Sequence, residues 1–415
     1  MGLMGKIVAG FALAAALAAA PDEVQLGRDQ GYPVGSLRGW FFDEAVRVGS
    51  FTHQAVLEGM YHGGVHTLAP AERPMQLARA AQAPDYRWAV GQERGLTVDD
   101  YLARQRVMGL MIIKDGVVQV ERYQYGRRHA DRFVSMSMAK SITALGVGIA
   151  LDEGRIKSLD DRAEQYLPSL KGTLYGGTTL RNLLRMASGA AFSERYDGRD
   201  DSARYAAEVG RVGVEAAART VTLREAEQGA RFNYAGAQTT VLGAVLRAAT
   251  GESLAAYLTP RLWQAIGARD SALWRTDRTG LEVASGNFNA TLEDYGRLGV
   301  VLANDGARPD LPAARPLVSR EFLLDATDWK RGPEAFRPGK ATSYFGYGFQ
   351  FWLYPGERRR FAMLGVFGQH IFVDPGQRLV MVQTSADRLP SAGKTSLARE
   401  RDAFWRGVVG HYGGW

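Results

Sequence analysis

The amino-acid sequence predicts an α/β (α+β) fold: an antiparallel sheet assembled from both ends of the chain, flanked by helices and interrupted by an all-helical insertion. Three observations predict it. A hairpin signal lies near residue 115, helical patterning dominates residues 158–340, and β-rich runs return after residue 347. Strands at both ends with helices between them point to one sheet closed by the two ends. The expected layout is a leader over residues 1–20, a sheet domain over 21–136 with 341–415, and a mostly helical domain over 137–340. A chain of 415 residues has room for two or three average domains.

The leader comes first. Met1 to Lys6 carries one basic side chain, Ile7 to Ala20 is almost wholly apolar, and Ala18-Ala19-Ala20 precedes Pro21-Asp22. That order of basic start, apolar middle and small residues at the cut is a secretory signal. The apolar run of roughly 14 residues is short of the ~20 that span a bilayer. No Cys follows, which excludes a lipid anchor on Cys. The expectation is an exported, periplasmic protein with no stable membrane insertion once the leader is removed.

Residues 21–100 read as irregular, with pieces such as Gly31-Tyr32-Pro33. Met111-Ile112-Ile113 and Val117 to Val120 then flank Lys114-Asp115-Gly116, and Asp-Gly between two β-rich runs predicts a hairpin. From Ser137 to Asp152 the spacing of Ile142, Leu145 and Ile149 is helical, with Gly154 as a stop. Thr239 to Ala249 and Leu292 to Ala303 are further apolar helices. Strands are expected at Tyr347–Leu353, Phe361–Met363, Ile371–Val373 and Leu379–Gln383, the last after the Asp374-Pro375-Gly376 turn. Thr395 to Val409 reads as a closing helix.

Composition narrows the function. Hydrophobic residues at 46% and charged residues at 23% exclude a wholly disordered chain. The absence of Cys excludes disulfides, thiolate metal sites and a Cys nucleophile. The net charge of +7 is carried by 51 basic residues, of which only eight are Lys. The Arg residues are scattered, and runs such as Arg199-Asp200-Asp201 mix sign. Arg358-Arg359-Arg360 follows Pro355-Gly356 and reads as a turn. A nucleic-acid footprint is clustered, so no nucleic-acid partner is expected. Scarcity makes each Lys conspicuous.

Ser137-Met138-Ala139-Lys140 is S-x-x-K at the start of a helix. Helix positions three apart are neighbours, so the Lys140 amine reaches the Ser137 hydroxyl. Serine needs a base to act as a nucleophile, and lysine serves if burial lowers its pKa. Its small neighbours and the apolar helix beyond make burial expected. A second copy, Ser391-Ala392-Gly393-Lys394, lies in a Pro/Gly loop with no helix to fix its geometry, and it is rejected.

Arg132 to Ser141, then Ile149 to Gly154 and Ser158 to Asp161, resemble the penicillin-recognising serine hydrolases. Within them the chain is most similar to the class C β-lactamase-related branch that includes 6-aminohexanoate-dimer hydrolases and carboxylesterases. The likeness continues through Leu183 to Gly189, Phe232-Asn233-Tyr234, Gly286 to Thr291 and Gly365 to Gln369, and spans roughly residues 100 to 390. The resemblance implies a β-lactamase/transpeptidase-like fold, no cofactor, and a small-molecule ester or amide substrate.

It also implies site roles. Ser137 and Lys140 match the first motif in full. The counterpart of Tyr-x-Asn is Tyr234-Ala235-Gly236, which keeps the tyrosine to shuttle a proton and replaces Asn by Gly236. Ser285-Gly286-Asn287 is a competing S-x-N pattern ranked below Tyr234. The third motif, K-T-G or H-x-G, falls on Met363-Leu364-Gly365. Its cation is absent, which argues against β-lactam hydrolysis. Gly365 is kept, and the Val366 N–H joins the Ser137 N–H as the oxyanion hole. Tyr196, Gly365 and Asn287 are the expected substrate-binding residues.

Rival constellations are poorer. No G-x-S-x-G occurs. His62 and His66 are separated by Gly63-Gly64, which disfavours a helical zinc pair, so no metal is expected. His370, one residue after Gln369, is a distant second to Lys140 as a base for Ser137, since alternation on the strand can point it away. Gly236 and Met363 leave open a penicillin-recognising binding or sensor protein, or a D-alanyl carboxypeptidase or β-lactamase with little turnover of esters. Oligomeric state is not legible.

Overall fold

The structure is a computed structural model, described over residues 20–37, 39–53, 63–311, 313–390 and 396–415. The leader up to residue 19, the second Ser-x-x-Lys copy and His62 lie outside these residues. In chain order the strands are β1 Val65–Leu68, β2 Ala78–Arg79, β3 Trp88–Val90, β4 Glu93–Leu96, β5 Val107–Lys114, β6 Val117–Tyr123, β7 Arg132–Val134, β8 Ala272–Arg275, β9 Phe288–Thr291, β10 Gly346–Tyr347, β11 Trp352–Leu353, β12 Phe361–Gly365, β13 Gln369–Asp374 and β14 Leu379–Ser385.

The Asp115-Gly116 signal corresponds to the β5–β6 turn. Both residues have positive φ, 52° and 76°, as a tight hairpin turn requires. The main sheet has eight strands in the order β10-β11-β12-β13-β14-β5-β6-β2. The two ends of the chain meet where β14 pairs antiparallel with β5, Leu379 opposite Lys114. The one parallel pair in this sheet is β2 with β6, at its edge.

Both faces of the sheet are covered, and side chains alternate between them. Met111, Ile113, Val380 and Val382 enter the larger core with the Met138–Asp152 and Leu292–Ala303 helices. Leu110, Ile112, Leu379 and Met381 enter the smaller core, against Phe404, Trp405 and Val408 of the Ser396–His411 helix. Two covered faces explain why β5 and β14 read as continuous apolar runs rather than alternating ones.

The structure departs from three expectations, the first being that residues 21–100, read as irregular, carry β1 to β4 and the Arg47–Thr52 and Val98–Arg104 helices. The segment 347–353 is not one strand: β10 and β11 form a short hairpin, and Gln350 between them has a φ of 64°. The mostly helical segment also supplies β8 and β9 to a second sheet of order β1-β8-β9-β7. Strands of four residues are too short to show a period.

The Met138–Asp152 helix is buried on nearly every side from Met138 to Ala150, as a helix apolar all round must be. It packs on the Gly236–Thr250 helix, where a Cβ at Gly146 would lie 2.8 Å from Leu246. These two helices set the positions of Ser137 and residues 234–236. Among the described residues no helix is long and apolar enough to cross a membrane.

Candidate active site

Ser137 holds the position before the first turn of the Met138–Asp152 helix, yet its hydroxyl caps no backbone N–H. It is therefore not an ordinary helix cap. The preceding residue, Met136, has a φ of 44°, a conformation that costs a non-glycine residue about 1–3 kcal/mol and collects at functional sites. One turn along, the Lys140 Nζ donates to the Ser137 Oγ at 2.9 Å and to the Ser285 carbonyl at 2.9 Å. Lys140 is only 3% exposed. Burial draws the pKa of its amine down to about 8, and the negative charge of Glu194 opposes that shift.

Tyr234 lies just ahead of the Gly236–Thr250 helix. Its ring stacks on Trp352 with centroids 5.5 Å apart, and the Lys140 Nζ is 5.1 Å from the ring centre. Burial pushes its phenol well up, while the Ser137 and Tyr196 side chains, both within interaction range, pull the other way. Tyr196 sits on a loop with a φ of 60°. Its hydroxyl donates to the Glu194 carboxylate at 2.7 Å, and it too interacts with Ser137.

Gly365 ends β12 against the segment that carries Ser137. A Cβ there would lie 2.5 Å from the Ser135 carbonyl oxygen, so only glycine permits this approach. Val366 follows and faces the same cavity as Ser137. Among the described residues neither N–H donates to a turn, loop or cap carbonyl. Met363, at the position expected for a cation, is wholly buried in the larger core.

The cavity measures about 400 Å³. Ser137, Lys140, Tyr196, Asn287 and Val366 line it, and Tyr234 and Gly365 are not among the lining residues. Its apolar wall includes Trp40, Phe41, Phe42 and Phe192. Met136, Tyr196, Asn287 and Phe367, one from each of four converging segments, all have left-handed backbone. A more open hollow of about 520 Å³ lies at Arg87, Arg399 and Arg406 beside the Ser396–His411 helix, with no serine, threonine or lysine in its wall.

Two contributors were not foreseen. The segment 40–42 read as irregular, although three consecutive aromatic residues in a loop were a signal. Glu194 carried none, because its role depends on a fold that brings it beside Lys140 and Gly236. Ser285, ranked low as a motif, contributes its carbonyl. His370 is buried on β13, 5.5 Å from Phe372 and outside the cavity wall. His66 pairs with Glu282 at 2.8 Å, and no group of three His, Asp or Glu among the described residues could hold a metal.

Comparison with known proteins places the chain in a family. The Beta-lactamase family model matches residues 97–403. A 6-aminohexanoate-dimer hydrolase of Paenarthrobacter ureafaciens is 26% identical over 291 residues, 66% of this chain and 71% of that protein. A solved structure from Bacillus anthracis, provisionally described as a 6-aminohexanoate-dimer hydrolase, superposes with a TM-score of 0.77 at 21% identity, covering 90% of this chain and 95% of that one. A family VIII carboxylesterase superposes with a TM-score of 0.52 at 18% identity, covering 72% of this chain and 92% of that one. With the family model spanning most of its length and the fold shared with these structures, the chain belongs to the Beta-lactamase family.

Proposed function

We propose that this protein is a serine hydrolase that cleaves an ester or amide bond of a small substrate through an acyl-enzyme on Ser137. One observation carries the reading: a buried amine with its pKa drawn down to about 8 lies 2.9 Å from a hydroxyl that caps nothing. The hydrolase names of its relatives support it.

The Ser137 oxygen attacks the substrate carbonyl carbon, and its proton passes to the neutral Lys140 amine. The Ser137 and Val366 N–H groups hold the oxygen that gains charge. Lys140, with Tyr234 beside it, returns the proton to the leaving alcohol or amine as the bond to it breaks. Water then attacks the acyl-enzyme, gives its proton to the same amine, and releases the acid and free Ser137. Tyr196 and Asn287 contact the substrate, and the aromatic wall takes its apolar part. Met363 in place of a cation makes a β-lactam a poor substrate. Export to the periplasm is part of this proposal and is supported by the leader sequence alone.

Incubation with para-nitrophenyl acetate, followed by intact mass, tests the reading. Multiple turnovers with the acyl group mapped to Ser137 on rapid quenching are expected. An adduct that persists without turnover would instead indicate a binding protein. Unchanged turnover in Ser137→Ala would refute the assignment.

A further inference from the structure

We infer that Glu194 is a positioning residue for the reaction at Ser137: its carboxylate fills the place that a side chain at residue 236 would occupy, between the Lys140 amine and the start of the Gly236–Thr250 helix. The inference rests on the Ser137–Lys140 reading above. Gly236 looks like a loss, because the related motif has a polar side chain there. The space is not empty. A Cβ at Gly236 would lie 3.3 Å and 3.6 Å from the two Glu194 carboxylate oxygens and 3.6 Å from the Lys140 Nζ. A side chain at 236 would crowd the Glu194 carboxylate, so the glycine and the carboxylate share one space.

Both carboxylate oxygens are tied down. Oε2 accepts from the Gly236 N–H at 2.6 Å, the first amide of a 15-residue helix, where a negative charge is favoured. Oε1 accepts from the Tyr196 hydroxyl at 2.7 Å. The Tyr196 loop is pinned a second time by its own N–H, which donates to the buried Asp200 at 2.7 Å. Glu194 therefore links a wall of the cavity to the helix that follows Tyr234. It does so without touching the hydroxyl that reacts.

Its charge also faces the base. The groups around the Lys140 amine are the Ser137 hydroxyl and Ser285 carbonyl, the Tyr234 ring, and Tyr196, Glu194, Asp200 and Arg275 in the wall of the same cavity. Tyr175 and Tyr347 feel the Glu194 charge from behind. Of the charged groups, Glu194 is the one that bears on the amine, and it favours the protonated form against burial. Removing that charge should let Lys140 lose its proton at lower pH.

The test compares wild type, Ser137→Ala, Glu194→Gln, Gly236→Asn and the double variant Glu194→Ala/Gly236→Asn with para-nitrophenyl acetate as probe. Glu194→Gln keeps the size of residue 194 and one acceptor oxygen, turns the other into an amide donor, and removes the charge. Its acid limb of kcat/KM against pH should move down by about half a pH unit or more. A merely structural role would lower the rate without moving the limb. Gly236→Asn should lose at least about tenfold in kcat/KM, and adding Glu194→Ala should recover part of it, since neighbours sharing a space are non-additive. An acid limb in Glu194→Gln that stays put or rises, or a fully active Gly236→Asn, would overturn the inference. If Glu194→Gln does not fold, the two Asn variants decide alone. An active Ser137→Ala would mean that the reaction itself was misread; an inactive Ser137→Ala with no shift in Glu194→Gln defeats Glu194 only.

Discussion

Two of the buried cations, Arg297 and Lys140, are treated in opposite ways. Arg297, 1% exposed, donates from each of its three nitrogens: to the Met75 carbonyl at 2.8 Å, Asp294 at 2.7 Å and Glu293 at 2.8 Å. Lys140, equally enclosed, is given only a hydroxyl and a carbonyl at hydrogen-bond distance. Its counter-charge, Glu194, spends its own contacts on Tyr196 and Gly236. A saturated ion cluster holds a charge in place. An amine facing neutral oxygens loses its proton easily, which is what a base for Ser137 requires. The surrounding backbone follows the same division. Left-handed residues converge on the Lys140 side, whereas Arg297 sits in a regular helix.

That contrast is broken most sharply by removing each cation. Lys140→Ala should lower kcat/KM by about 1,000-fold or more, with a melting temperature at or above that of wild type, because a buried amine has been removed. Arg297→Ala should do the reverse. It takes the buried guanidinium away from Asp294 and Glu293, at a cost of about 3–5 kcal/mol of stability, while activity per folded molecule stays near wild type. Chemical denaturation and active-site titration separate the two effects. If Lys140→Ala destabilised and Arg297→Ala inactivated, the roles assigned here would be exchanged.

A smaller effect is expected at Tyr234. Tyr234→Phe keeps the stack on Trp352 and removes the phenolic proton; kcat should fall by about 100-fold with little change in KM. Smaller again is Phe41→Ala. Phe41 packs on Phe367 at 4.9 Å and leans toward Tyr196 at 6.4 Å. Its loss should raise KM for esters of long or aromatic acids severalfold and leave acetate esters almost unchanged, by comparison of kcat and KM across an acyl series. Equal losses on all esters would assign Phe41 to the fold rather than to the substrate.

The sequence made the local features visible. Asp115-Gly116 announces its own turn, and Ser137-x-x-Lys140 announces its geometry because one helical turn fixes both residues. Gly365 could be placed by counting along a strand. What stayed hidden depends on contacts between distant segments. Glu194 has no pattern of its own, and its meaning appears only when Gly236 stands beside it. Trp40, Phe41 and Phe42 belong to a loop whose conformation is set by the cleft it lines. β8 and β9 are four residues each, and a partner strand rather than a period makes them strands. His370 shows the converse: a residue type that suggests chemistry, enclosed by a sheet that gives it none.

The pH dependence of kcat/KM tests the central claim most directly. A base works in its neutral form, so the rate should climb with pH and reach half its maximum near pH 8, where burial has placed the Lys140 amine. A rate that does not change between pH 6 and pH 10, or one that rises only where an ordinary lysine titrates at about 10.4, would contradict it.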